Sequence, residues 1–211
     1  MKNRVLVWAS IVSLVTFLIV AIKGILTNFS LKYDLIINNY FSTLQNSLLI
    51  NASKTIGIIF DTWSLLTIAI FVSIYLWFKD SKKDAVFFTL SMAIGAAAIF
   101  ILKEIFQRAR PLNILVTETS SSFPSGHATI AVIFFGILTY LILKRDHSKF
   151  ERRVALAISP LMILLMGLSR IIINAHWFSD VIAGYCTGIF ILSICIMLRK
   201  MSDKFEKIII N

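Results

Sequence analysis

The chain has 211 residues, 58% of them hydrophobic and 15% charged, with a mean hydropathy of +0.85. That composition excludes an ordinary soluble domain and makes membrane-crossing helices the leading class. The net charge of +10 would suit a nucleic-acid binder, but the charges collect between apolar segments, so no nucleic-acid partner is expected.

About 20 apolar residues at 1.5 Å rise cross the hydrocarbon. Six windows reach or approach that length: Val5–Ile25, Thr55–Phe78, Ala85–Phe106, Ser125–Leu143, Val154–Ile173 and Trp177–Leu198. They predict an all-α polytopic protein of six transmembrane helices, one membrane domain over residues 1–211. Lys2 and Arg4 precede the first window as in a signal peptide, yet it is too long for one and lacks a small-x-small site before Lys23. It reads as a retained span. In the connection 26–54, "YDLIINNYFSTLQNSLL" sets Leu35, Ile36, Tyr40, Leu44, Leu48 and Leu49 along one side of a helix. This predicts an amphipathic helix in the outer interface, the alternative being a packed loop helix with no part in chemistry. Pro160 predicts a kink in the fifth window. Cys186 and Cys195 lack C-x-x-C spacing and imply neither disulfide nor zinc site. Residues 199–211 read as a short basic cytoplasmic tail.

Placing both termini inside gives cytoplasmic segments holding Lys2 and Arg4; Lys79, Lys82 and Lys83; Lys144, Arg145, Lys149, Arg152 and Arg153; and Arg199, Lys200, Lys204 and Lys207. These are fourteen of the 21 basic residues. The bias fixes the orientation by the positive-inside rule.

The charges left outside concentrate at helix ends. Lys103 and Arg110 are seven apart, on one face of a continued third span. Arg170 ends the fifth span, His127 opens the fourth, and His176 opens the sixth with Asp180 one turn on. Ionisable groups at membrane depth are costly and point to function. Lys103, Arg110 and Arg170 suit phosphate oxygens. In "SSSFPSGHATIAVIFFGIL" (Ser120–Leu138), Ser125 and Gly126 place unpaired amides at a helix N-terminus, which favours an anion. The i,i+4 spacing lets Asp180 accept the His176 Nδ1 proton and leave Nε2 as nucleophile, with His127 as acid and then base. Arg108 reads as a snorkelling interface residue, or else a ligand for a second phosphate. Asp61 reads as a helix-boundary residue rather than a catalytic one.

With "KEIFQRARP" (Lys103–Pro111), "PSGH" (Pro124–His127) and "SRIIINAHWFSD" (Ser169–Asp180), the sequence resembles the type 2 phosphatidic acid phosphatase superfamily. All eleven fixed positions of the K-x6-R-P, P-S-G-H and S-R-x5-H-x3-D signature match. The resemblance implies a phosphohistidine at His176 oriented by Asp180, His127 as general acid and base, and phosphoryl oxygens held by Lys103, Arg110, Ser125, Gly126 and Arg170. It implies no metal and no cofactor. Expected substrates are lipid phosphates: phosphatidic acid, phosphatidylglycerol phosphate or undecaprenyl pyrophosphate. The site would face outward from a cell membrane. A phosphotransferase with the same intermediate and a non-catalytic transporter are the alternatives. The sequence leaves the oligomeric state open.

Overall fold

The structure, a computed structural model, describes residues 3–23 and 29–210, and the regular elements among them are helices. In chain order they are α1 (Asn3–Ala21), α2 (Phe29–Leu44), α3 (Ser47–Ile59), α4 (Thr62–Phe78), α5 (Lys82–Phe106), α6 (Gly126–Lys144), α7 (Lys149–Ile172) and α8 (Phe178–Ile210). Lys2, Gly24, Ile25, residues 26–28 of the expected interfacial segment and Asn211 lie outside the described residues.

Five helices are long and apolar enough to cross a membrane alone: α1, α5, α6, α7 and α8. A further pair, α3 and α4, bent by 43°, passes the same test only when its two helices are taken together, which brings the count to six if the pair is one span. It starts at Ser47, not Thr55, and is broken at Asp61. The Asp61 carboxylate accepts the Trp63 amide at 3.1 Å and caps α4, so the chain restarts its helix there. The single amphipathic helix expected through Leu49 is likewise two, because the Asn46 side chain accepts the Leu49 amide at 2.9 Å and caps α3. On α2 the apolar residues Leu35, Ile36, Tyr40 and Leu44 are exposed, while Asp34 and Asn38 are buried. The helix turns its polar side inward. The expected tail continues α8 as helix to Ile210, and α7 remains helical through Pro160.

α6 lies between α7 and α8, α1 packs along α8, and α5 bridges α4 and α6. Lipid tails are as apolar as leucine, so close approach and packing hold such helices together. A Cβ at Gly184 would stand 2.6 Å from the Ser125 carbonyl oxygen, so glycine there lets α8 touch the α6 backbone. Thr129 Oγ1 fastens the contact by donating to the Gly184 carbonyl at 3.1 Å. Phe88, Met92, Ile130, Ile133 and Ile137 fill the space beneath. At the far end, Asp84 accepts from Arg145 at 3.0 Å and Arg199 at 2.9 Å, tying α5 to the end of α6 and to α8. The basic loops gather at that end, and the histidine pair sits at the other.

Candidate active site

The α6–α8 contact brings the start of α6 beside the turn before α8. His127 and His176 thereby face each other with ring centroids 6.4 Å apart. His176 sits just past α7, where the Arg170 carbonyl collects the amides of Ala175 (2.9 Å) and His176 (3.3 Å). Asn174 makes this turn with φ of 53°, a left-handed conformation that asparagine tolerates. Its side chain donates to Ser42 Oγ and to the Asn113 carbonyl, each at 3.2 Å. The turn is therefore anchored to α2 and to the α5–α6 loop.

His176 is 1% exposed, and its Nδ1 lies 2.8 Å from the Ser122 carbonyl oxygen. A carbonyl only accepts, so Nδ1 carries the proton and Nε2 presents its lone pair. Burial first, then the charges of Arg110 and Lys103, hold the His176 ring well below the usual histidine pKa. The expected Nδ1 partner, Asp180, stands 3.6 Å away, beyond hydrogen-bonding reach. Its carboxylate instead accepts from the Trp177 amide at 2.9 Å and from Arg108 at 2.5 Å.

Arg108 corrects the sequence reading. Its other arm donates to Asp34 at 2.7 Å, so the guanidinium is buried between two carboxylates and does not snorkel. Asp34 also accepts from the Ser179 hydroxyl at 2.6 Å and its amide at 2.9 Å. Sequence reasoning missed Asp34 by following the apolar side of α2. The available signal was the polar i,i+4 pair Asp34 and Asn38 on the opposite side.

The cations converge from three directions. α5 ends at Phe106 with Gln107 in the left-handed region, so Arg110 reaches the site by a loop and not along a shared helix face. One Arg110 nitrogen donates to the Ala175 carbonyl at 2.7 Å and lies 3.5 Å from His176 Nε2. Another lies 3.2 Å from the Glu118 carboxylate. Lys103 donates to Ser120 Oγ at 2.8 Å and the Ser121 carbonyl at 2.7 Å. Arg170 donates to the Ser53 carbonyl of α3 at 2.8 Å. Gly57 makes room for it, since a Cβ there would fall 1.8 Å from the guanidinium. Ser125 caps α6 through the Ala128 amide, but its own amide is not free: it donates to the Asp180 carbonyl at 3.0 Å. The unpaired amides of this N-terminus thus begin at Gly126, the first residue of α6.

His127 Nε2 lies 3.0 Å from Asp61 Oδ1. Asp61 is the helix-boundary residue expected, and it is also the histidine's partner. Glu118 and Asp61 are both acids of the site that the sequence did not mark as such. Among the described residues, no three His, Cys, Asp or Glu side chains cluster as a metal site.

Fold and site together define a multi-pass helical membrane protein with a histidine pair and a cationic cradle at one end. A family model described as the PAP2 superfamily matches residues 84–204, and the chain belongs to that superfamily. Phosphatidylglycerophosphatase B of Bacillus subtilis is 26% identical over 147 residues, 68% of this chain and 70% of that one. Undecaprenyl-diphosphatase of Sulfolobus acidocaldarius is 26% identical over 135 residues, 61% of each chain. The crystal structure of a transmembrane PAP2-type phosphatidylglycerolphosphate phosphatase from Bacillus subtilis superposes with a TM-score of 0.82 at 25% identity. The match covers 93% of this chain and 96% of that one.

Proposed function

We propose that this PAP2 membrane lipid phosphatase hydrolyses phosphate monoesters or pyrophosphates of lipids through a phosphohistidine at His176. The observation that carries the proposal is the hydrogen bond from His176 Nδ1 to the Ser122 carbonyl. It leaves Nε2 unprotonated beside the Arg110 guanidinium, where a phosphoryl oxygen would be held.

The Nε2 lone pair attacks phosphorus as the bond to the leaving oxygen breaks, and His127 supplies that oxygen with a proton. In the second half, His127 takes a proton from water. The hydroxide attacks phosphorus, the P–N bond breaks, and inorganic phosphate leaves. Lys103, Arg110 and Arg170, with Ser125 and the Gly126 amide, hold the equatorial oxygens and stabilise charge that builds in the transition state. Asp180 places the His176 turn through Trp177 and Arg108. The lipid class follows from the site's position at the end of membrane-spanning helices and from the substrates named for the two relatives. The whole chain acts as one membrane domain, with the site extracytoplasmic and the basic loops inside.

The test is rapid quenching with radiolabelled phosphatidylglycerol phosphate and undecaprenyl pyrophosphate, followed by assay for acid-labile protein phosphate and released phosphate. Wild-type protein should show both, and His176→Ala neither. Labelled phosphoenzyme in His176→Ala would remove the nucleophile from this position.

A further inference from the structure

Asp61 is an acid of the site that the scheme above leaves without a part, and it is the one in contact with His127. It comes from neither the α5–α6 loop nor the α7–α8 turn, but from the break between α3 and α4. That break divides its work between its two oxygens. Oδ2 accepts the Trp63 amide at 3.1 Å and so caps α4. Oδ1 is left to face α6, where it meets His127 Nε2 at 3.0 Å. Thr62, the next residue, lies against the start of α6, since a Cβ added to Gly126 would come 3.5 Å from its hydroxyl. The 43° bend is thus where the α3–α4 pair touches the start of α6.

We propose that Asp61 is the positioning residue of the proton-transfer histidine. An ionised carboxylate only accepts, so its contact fixes the proton on His127 Nε2 and makes Nδ1 the nitrogen that exchanges protons with the substrate and with water. The carboxylate also faces the ring while the ring carries a positive charge, which happens when His127 waits as the acid and again after it has taken a proton from water. His127 is 7% exposed, so little solvent is available to do the same. The proton remains with the imidazole, and Asp61 stays ionised throughout. The two histidines are therefore oriented differently: His176 by a backbone carbonyl, and His127 by a carboxylate carried at the bend of a separate helix pair.

The inference rests on His127 acting as the proton donor and acceptor, and the test separates the two ideas. Asparagine is itself a good helix cap, so Asp61→Asn keeps α4 while removing the negative charge. kcat/KM reports the steps up to phosphoryl transfer, and should be measured for a lipid alkyl phosphate and for p-nitrophenyl phosphate, whose leaving group needs no proton. Wild type, Asp61→Asn, His127→Gln and the double variant are compared in one detergent. Asp61→Asn should lower kcat/KM on the lipid by on the order of tenfold or more, with a much smaller loss on p-nitrophenyl phosphate. In the His127→Gln background the same change should add almost nothing, and Asp61→Glu should recover part of the lipid activity. If His127→Gln is leaving-group dependent but Asp61→Asn costs both substrates equally, or neither, Asp61 is a cap alone and the inference fails. If His127→Gln itself shows no leaving-group dependence, the acid role of His127 falls, and this inference with it.

Discussion

His176 Nδ1 sits 2.8 Å from the Ser122 carbonyl oxygen, while the carboxylate of Asp180, one helical turn further on, is 3.6 Å away. The proposed nucleophile is thus set by backbone that comes just before the P-S-G-H segment. A neutral carbonyl fixes the tautomer without adding a negative charge that would raise the ring's affinity for a proton.

The state of His176 follows with a definite sign. Burial and the nearby Arg110 and Lys103 charges disfavour the imidazolium, so the free enzyme's ring stays neutral below the usual midpoint of about 6.5. The neutral form, which the proposed mechanism needs, is therefore retained as pH falls through 6.5 and is lost only at lower pH. The chain has three histidines, so ring-labelled protein in detergent can be assigned with His127→Gln and His147→Gln. The His176 resonance should titrate below 6.5. A midpoint at or above that value would show that the cations do not act on it as the geometry requires.

Arg108 neutralises two carboxylates, Asp34 at 2.7 Å and Asp180 at 2.5 Å. Arg108→Ala would strand both in a nearly dry site, and breaking a buried pair in this way costs about 3–5 kcal/mol. Asp34→Asn leaves the Arg108–Asp180 pair intact and should cost less, about 1–3 kcal/mol. Unfolding of the purified variants in detergent should rank them in that order. Arg108 is fully engaged in this pairing, so Arg108→Ala should also leave the preference between monophosphate and pyrophosphate lipids unchanged. A selective loss on pyrophosphates would restore it as a ligand for a second phosphate.

Glu118 lies 3.2 Å from Arg110 and is partly exposed. In the proposed mechanism an incoming phosphate must take that guanidinium from it. Glu118→Gln should therefore strengthen inhibition by inorganic phosphate and vanadate, about three- to tenfold for a single partly solvated charge. Unchanged or weaker inhibition would show that the carboxylate does not compete for the cradle.

Much of this was legible in the chain. Apolar runs of membrane length gave the crossings, and the residues of the three motif segments meet at one end of the bundle. Two kinds of feature were not legible. Breaks at Asn46 and Asp61 are decided by a side chain capping a helix instead of continuing the hydrophobic run, and window averages smooth over such single-residue events. Partners such as Asp34 for Arg108, or Asp61 for His127, lie 74 and 66 positions away in the chain, where no local spacing connects them. The Ser122 contact is made by a carbonyl, which every residue has, so no residue type could announce it. Arg110 was placed on a helix face because the helical pattern was extended past Phe106, where Gln107 turns the chain out of the helix.

The orientation of the bundle is the last expectation. The site lies where α5 and α7 end and α6 and α8 begin; Lys79, Lys82, Lys83, Lys144, Arg145, Lys149 and Arg199 lie at the opposite ends of the same helices and of α4. Positive loops stay cytoplasmic, so the site should face out. Leu112, 97% exposed in the α5–α6 loop, and Asp146, exposed in the α6–α7 loop, report on the two sides. The native Cys186 and Cys195 are buried and should contribute little background. With an impermeant thiol reagent on intact cells, Leu112→Cys should be modified at once and Asp146→Cys only after the membrane is broken. The reverse pattern would turn the phosphatase site toward the cytoplasm and require its lipid substrate to be drawn from the inner leaflet.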